Sequence, residues 1–356
     1  MDFRIDDDVR DLCSLVRDMG EKLVTDETLR ELDARFGPGT ESGGAGRDTA
    51  RLHAPLWSAL VEAGVPGALA PQSCGGAGLG VVAEALVLRE LGRELAPVPL
   101  SSAVRAAWLL DAAGLADRAA AVADGREIAA VADGDSPEVD WAPVADVIVR
   151  PAADGLRVAD RAAVTVERTV PVDYSCAGLV TGDPGAASPL PAGAVELDAL
   201  RRRVHLAAYQ WGVVEAALER TAAYASERRQ FGRPIGSFQA VAARLADGSI
   251  DVDAVRLTTL RAAFELDTCS DAGSAPGAAA RSAVGIAHFW ACETGHRLAH
   301  STVHIHGGVG LDRSEPAHRY FLAAKAGEFR LGGATRQLLD LGEVLVEHGD
   351  PWELHA

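Results

Sequence analysis

The stretch Glu227–Gln239, ERRQFGRPIGSFQ, interrupts long runs of Ala-, Val- and Leu-rich sequence with arginines, an amide, a Phe-Gly pair, a proline and a second aromatic-amide pair. Gly232 and Pro234 mark a corner, because glycine takes backbone angles closed to other residues and proline cannot continue a helix. Phe231 and Phe238 are placed to anchor that corner. As structure alone, this is an inter-helix turn with solvated arginines. As chemistry, it is a dense set of planar donors. Arg228 carries a fork suited to phosphate, and Gln230 and Gln239 carry amides suited to phosphate or a base edge.

On either side of this corner the pattern is helical. Before it, Ala207, Trp211, Val214, Leu218, Ala222 and Ala225 recur at three- and four-residue steps, which predicts a core-facing seam. After it, helical patterns cover 238–267, 279–303 and 318–346, so residues 195–356 predict a four-helix bundle. Upstream, residues 126–194 switch to short valine-rich segments separated by Asp, Gly and Pro. Among them VIVRPAADGLRV predicts a β-hairpin turning at or near Asp154–Gly155, and GDPGAASPLPAG closes the region as a linker.

Residues 1–125 are helical again. Val9, Leu12, Val16, Met19 and Leu23 form one apolar stripe, and the Gly/Pro/Ser-rich 35–48 reads as a loop. Helices are predicted around 51–63, over Val81–Glu94 and over the alanine-rich 103–123. Between the first two of these lies the glycine-rich VPGALAPQSCGGAGLG, and APVPL ends the second. The fold class is therefore α+β in three domains: N-terminal helical (1–125), a reduced β domain (126–194) and a C-terminal helical bundle (195–356).

Composition narrows the function. The 356 residues are 48% hydrophobic and 24% charged, an ordinary globular balance, and the net charge of −17 argues against nucleic acid or an anionic membrane as partner. No uninterrupted apolar stretch approaches a membrane span. Cys13, Cys74, Cys176, Cys269 and Cys292 are scattered without a C-x-x-C spacing, as expected of reduced, mostly buried thiols. With the acidic N-terminus, which has no apolar signal core, they predict a cytoplasmic protein.

A second chemistry-bearing stretch is HIHGGVGL, 304–311. Gly307, Gly308 and Gly310 let backbone N–H groups approach an anion closely. By itself such a stretch is as readily a turn. It is not a dinucleotide fingerprint, because it follows a helical pattern rather than a strand. His296, His300 and His304 share a helix face, but no carboxylate or thiol completes a metal shell nearby, so no metal is expected.

Taken together and in this order, the two stretches resemble the acyl-CoA dehydrogenase family. EAGVPGALAPQSCGGAGLG followed by LRELGRELAPVP is similar to the family's N-terminal domain, and Arg228 to about Gln337 carries the most specific match. The resemblance implies FAD and an acyl-CoA thioester. A carboxylate takes the α-proton while the β-hydrogen leaves as hydride to the flavin. It further implies that R-x-x-F-G, F-Q and H-G-G-x-G elements reach across a subunit interface to a neighbour's FAD. Those roles fall on Arg228, Gln230, Phe231 and Gln239, and on His304, Gly307, Gly308 and Gly310. His304 stands where the family usually has glutamine, and an imidazole still donates a hydrogen bond.

Other family positions have lost their chemistry. The usual base, the glutamate of Y-E-G-T, falls on Leu331 in Arg330-Leu331-Gly332-Gly333, and the flavin-contacting threonine falls on Gly333. The alternative base position, on the first bundle helix, falls on Arg202. Leu322 and Ala323 replace the usual R-D-A-R arginine and aspartate, the family's T-E-P-x-x-G-S-D stretch is absent, and AAVADGDSPEVDW occupies the region of its W-I-T-N-like strand. Catalytic residues in this chain are thus expected to be none.

The resemblance therefore implies a non-catalytic subunit of a heteromeric, steroid-type acyl-CoA dehydrogenase. Its FAD would be shared across the interface with a homologous catalytic subunit in an α2β2 heterotetramer. The CoA ester, of a steroid side chain, would sit mainly in the partner's pocket, with electron-transfer flavoprotein a candidate acceptor. Two alternatives stand beside it: a self-sufficient homo-oligomer whose base has moved to Glu196, Asp198 or Glu328, and a flavin-free scaffold of the same fold.

Overall fold

A computed structural model describes residues 5–36, 50–134, 136–182, 185–269 and 275–349. The helices of the N-terminal part are α1 (Asp7–Leu23), α2 (Asp26–Phe36), α3 (Ala54–Glu62), α4 (Val65–Leu69), α5 (Gly80–Arg93), α6 (Leu100–Ala112) and α7 (Ala116–Ala123). Since α2 runs to Phe36, the rest of the loop expected at 35–48 lies outside the described residues. The stripe expected on α1 is rotated slightly. Val9, Cys13, Val16 and Gly20 are buried, while Leu12, Met19 and Leu23 flank them half-buried. The alanine-rich 103–123 is two helices, because Gly114 takes φ +76° and breaks the run.

The described residues of the middle region form seven strands: β1 (Ala129–Val131), β2 (Glu138–Asp140), β3 (Val147–Ala152), β4 (Gly155–Asp160), β5 (Val164–Thr169), β6 (Ala177–Gly182) and β7 (Ala187–Ser188). They form two small sheets, ordered β1-β3-β4-β7 and β2-β6-β5, antiparallel except for β1 with β3. The predicted hairpin is β3–β4, closed between Ala152 and Gly155 so that Asp154 sits in its turn. β7 lies inside the stretch expected as a linker. The core of this region is made of small side chains: Ala130, Ala132, Val139, Ala142, Ala145, Ile148, Ala159 and Val164.

The C-terminal part consists of α8 (Ala194–Glu227), a two-stranded ribbon β8 (Arg229–Gln230) and β9 (Arg233–Pro234), then α9 (Gln239–Thr268), α10 (Ala278–His306), α11 (Ala317–Arg330) and α12 (Ala334–His348). The run expected at 318–346 is thus two helices. Gly332 and Gly333, at φ +84° and +79°, supply the left-handed backbone that turns α11 into α12. Along α8 the expected seam holds at Ala207, Trp211, Val214 and Ala225, but Thr221 is buried in place of Ala222.

By contacts, the described residues divide into two compact units. One comprises those of Met1–Val87, Ala96–Arg202 and Cys269–Pro276. The other comprises those of Leu88–Leu95, Arg203–Thr268 and Gly277–Ala356. In the first, α6 is the buried centre, with Leu100, Ala103, Val104, Ala106, Ala107, Leu109 and Leu110 all inside. In the second, α10 packs against α9, α11 and α12. Glycines let its helices meet backbone to backbone, and a Cβ on Gly212 would lie 2.0 Å from the Arg89 carbonyl oxygen. Gln210, buried, donates from Nε2 to the Ala324 carbonyl at 2.9 Å. Its amide fills a socket that a Cβ on Gly295 or Gly327 would occupy at 2.0 and 2.1 Å.

Candidate functional site

Arg228 follows the last residue of α8, and its N–H still donates to the Tyr224 carbonyl at 2.9 Å. Beyond it, Arg229 pairs with Pro234 and Gln230 with Arg233, which leaves Phe231 and Gly232 as a two-residue loop. Their φ values of +52° and +81° are those of the turn whose twist matches an antiparallel ribbon. Glycine takes that conformation freely. A bulky residue such as Phe231 does so at a cost of about 1–3 kcal/mol, a strain that clusters at functional sites. Phe231 does not anchor the corner as expected: it is 93% exposed. Only its edge meets Phe238, at 6.2 Å between centroids, while the Arg233 guanidinium covers the Phe238 ring at 4.1 Å.

The donors of this ribbon face solvent. Arg228, Gln230 and Gln239 are exposed, and Gln230 bonds only to the carbonyl of Arg229, at 2.8 Å. Among the described residues the Arg228 guanidinium has neither an ion-pair partner nor a hydrogen bond, in a chain where most arginines are paired.

The glycine stretch caps α10. Gly307 takes φ +63° and ψ −140°, a region closed to other residues, and a 3-10 turn spans Gly307–Leu311. Gly307 and Gly308 face open space, whereas a Cβ on Gly310 would come within 2.9 Å of the His306 Cβ. The loop is therefore folded tightly on one side and bare on the other. His304 is exposed on the last turn of α10.

Two residues outside the predicted set bring these stretches together. Tyr224, one turn before Arg228, stacks on His306, the residue before Gly307, with centroids 4.3 Å apart and planes 19° from parallel. One turn back along both helices, the hydroxyls of Thr221 and Thr302 lie 3.3 Å apart. The signal in the sequence was only adjacency: each ring neighbours a motif, and nothing local says that the two rings meet.

The positions where a base is expected are differently occupied. Leu331 is buried at the end of α11, and its carbonyl accepts from Gln337 Nε2 at 2.7 Å. Gln337 Oε1 in turn accepts from Arg203, whose Nε donates to His288 Nδ1 at 3.1 Å. His288 therefore holds its proton on Nε2, which donates to the Arg203 carbonyl at 3.1 Å. Arg202 is ion-paired through Nε to Asp133 Oδ2 at 2.6 Å. Of the relocated candidates, Asp198 is buried and clamped by two nitrogens of Arg105, at 2.9 and 2.7 Å. Glu328 is bonded to Lys325 and to His296 Nδ1, the latter at 3.3 Å, and Glu196 lies half-buried in the first turn of α8.

The histidine face is exposed. His296 and His300 lie ring to ring at 4.6 Å, and His300 meets the edge of Phe321 at 5.9 Å. Among the described residues no three His, Cys, Asp or Glu side chains assemble into a metal-binding group. Nor does any described helix have the length and apolar character to cross a membrane. None of the five cysteines forms a disulfide, and burial pushes the Cys176 and Cys292 thiols up to about 12, which leaves them inert as nucleophiles.

Comparison with known proteins agrees with this architecture. Residues 197–346 match the acyl-CoA dehydrogenase C-terminal domain, and residues 40–117 match the acyl-CoA dehydrogenase N-terminal domain. The chain is 37% identical to the acyl-CoA dehydrogenase FadE27 of Mycobacterium tuberculosis, over 98% of its own length and 99% of the relative's. Among solved structures, a chain of the ChsE4–ChsE5 complex from Mycobacterium tuberculosis superposes with a TM-score of 0.85 at 36% identity, covering 98% of this chain and 99% of that one. A chain of the Tcur3481–Tcur3483 steroid ACAD superposes with a TM-score of 0.81 at 33% identity, covering 96% and 98%. The sequence motifs, the helical–β–helical order and these matches have one conclusion: the chain belongs to the acyl-CoA dehydrogenase family.

Proposed function

We propose that this chain is the non-catalytic subunit of a heteromeric, FAD-dependent acyl-CoA dehydrogenase, completing a flavin site on a homologous catalytic partner. The observation that carries this reading is an asymmetry. The phosphate-type donor Arg228 stands exposed and unpaired among the described residues, and Gly307 and Gly308 are bare, while the base positions hold Leu331 and an ion-paired Arg202. An exposed fork, exposed amides and a glycine loop open to close approach fit the pyrophosphate and adenine end of FAD presented by another subunit. FAD, when bound, supplies the hydride acceptor for α,β-desaturation of a CoA thioester.

Within such a complex, Arg228 gives a charge-assisted hydrogen bond to phosphate, and Gln230 and Gln239 add amide donors. Gly307, Gly308 and Gly310 let the backbone approach closely, with His304 as a further donor. Phe231 extends apolar surface toward the partner. The buried Leu331 side chain accepts no proton, so removal of the substrate's α-proton falls to a carboxylate of the partner. The likeness to chains of the ChsE4–ChsE5 complex and of a steroid ACAD supports a two-plus-two assembly acting on a steroid side-chain CoA ester. On this reading the partition is 1–125, 126–194 and 195–356, the last presenting the flavin contacts. Cysteines that form no disulfide support a cytoplasmic setting, and electron-transfer flavoprotein is the candidate electron acceptor.

The test is the flavin content of the chain purified alone and co-purified with its partner. About one FAD per heterodimer, and none for the chain alone, is expected. One FAD per chain with turnover from this chain alone would overturn the proposal, and absence of flavin under any pairing would point to a scaffold. In the complex, Arg228→Ala is expected to weaken FAD binding by about 1.5–3 kcal/mol, the contribution of a hydrogen bond to a charged group.

A further inference from the structure

We infer that Tyr224 and His306 are positioning residues, a stacked pair that holds Arg228 and the Gly307–Gly310 loop in one register so that both meet the same flavin. This rests on the half-site reading above and adds to it two residues to which the resemblance assigns no role.

The geometry is that of a clamp between two helix ends. The Tyr224 carbonyl accepts from the Arg228 N–H at 2.9 Å, and the Arg228 carbonyl accepts from the Ile235 N–H at 2.8 Å. The root of Arg228 is therefore fixed relative to Tyr224 on one side and to the ribbon on the other. Across the gap, His306 Nδ1 donates to the Thr302 carbonyl at 2.9 Å, which sets its ring plane. The Gly310 backbone folds against the His306 Cβ, so closely that a side chain on residue 310 would meet it at 2.9 Å. The two rings, stacked at 4.3 Å, join these two fixed units.

What lies beside the stack explains why it matters. A cleft of about 300 Å³ opens between the ends of α8 and α10, lined by Arg220, Tyr224, Glu227, His306, Val309 and Tyr320 among others. A packed core at this level would hold the helix ends without help. With a cleft there, the spacing of the two motifs depends on the ring pair and on the Thr221–Thr302 contact one turn deeper, at 3.3 Å. Two donor sets that must converge on one dinucleotide tolerate little relative displacement.

The experiment measures FAD affinity of the co-purified complex, from the flavin fluorescence released on dilution, for Tyr224→Ala, Tyr224→Phe and Arg228→Ala. Tyr224→Ala is expected to raise the FAD dissociation constant about three- to tenfold, the size of an aromatic pair's contribution. Its subunit ratio and thermal midpoint without FAD should stay unchanged. Tyr224→Phe, which keeps the stack, is expected to bind as the unaltered complex does. Unchanged affinity in Tyr224→Ala, or an equal loss in Tyr224→Phe, would overturn the inference. If Tyr224→Ala does not assemble, His306→Asn removes the ring while keeping a donor toward Thr302, and is read by the same criteria. Arg228→Ala separates the two levels. Loss of FAD there with normal affinity in the ring variants removes only the clamp, while normal affinity in Arg228→Ala removes the half-site reading itself.

Discussion

Arg105, buried on α6, bonds through two nitrogens to the buried carboxylate of Asp198 and reaches Asp133 at 3.0 Å, while Arg202 also holds Asp133. Such a cluster stabilises little as a whole, yet breaking it from one side leaves an uncompensated buried charge. Arg105→Met is therefore expected to lower folding stability by about 3–5 kcal/mol, and the double variant Arg105→Met/Asp198→Leu to recover most of it. Urea unfolding of the three proteins checks this, and equal midpoints for the single and double variants would contradict it. The same residues show why a base could not be chosen by inspection of the chain. Asp198 looks like a free carboxylate until its arginine, 93 residues away, is in place.

Helix α3 starts on an uncommon cap. His53 Nδ1 accepts from the Leu56 N–H at 3.1 Å, which requires that nitrogen to be unprotonated. Burial holds His53 below its ordinary value of 6.5. The unfolded chain thus takes up a proton near pH 6.5 that the folded chain refuses. Stability from this residue is complete above that pH and is lost as pH falls from 6.5 toward the lower folded value. His53→Asn keeps an acceptor at the cap and removes the titration. Its thermal midpoint is expected to fall less than the unaltered protein's between about pH 7.5 and pH 5.5. Element types were largely legible from periodicity and from glycine and proline. The breaks at Gly114 and Gly332–Gly333 were visible as glycines but hidden by the unbroken apolar pattern around them.

On the scale of the whole molecule, the second compact unit displays several large apolar side chains. Phe231 at 93%, Val346 at 89%, Phe329 at 70% and Leu339 at 61% are exposed, beside Leu257 and Leu338. Large apolar groups displayed in such number mark surfaces that another protein covers. Light scattering after size exclusion is expected to show the chain alone as self-associated, and a defined complex once the homologous subunit is present. A stable monomer at micromolar concentration would contradict this. The net charge of −17 does not prevent such association, because long-range repulsion is screened beyond about 8 Å at physiological ionic strength.

The chain's local pattern was enough to order the helical, β and helical regions, to place a hairpin turn next to Gly155, and to mark Arg228 and the Gly307–Gly310 loop as candidates. Each depends on backbone preference or hydrophobic period within a few residues, and such preferences act before any tertiary contact forms. Folding alone decided the rest. It exposed Phe231, which was expected as an anchor, paired Arg202 with Asp133, tied Asp198 to Arg105 and stacked Tyr224 on His306. The three pairings join groups 69 to 93 residues apart in the chain. Whether a charge is neutralised or left for a ligand is set by what the fold brings beside it, and no local pattern carries that information.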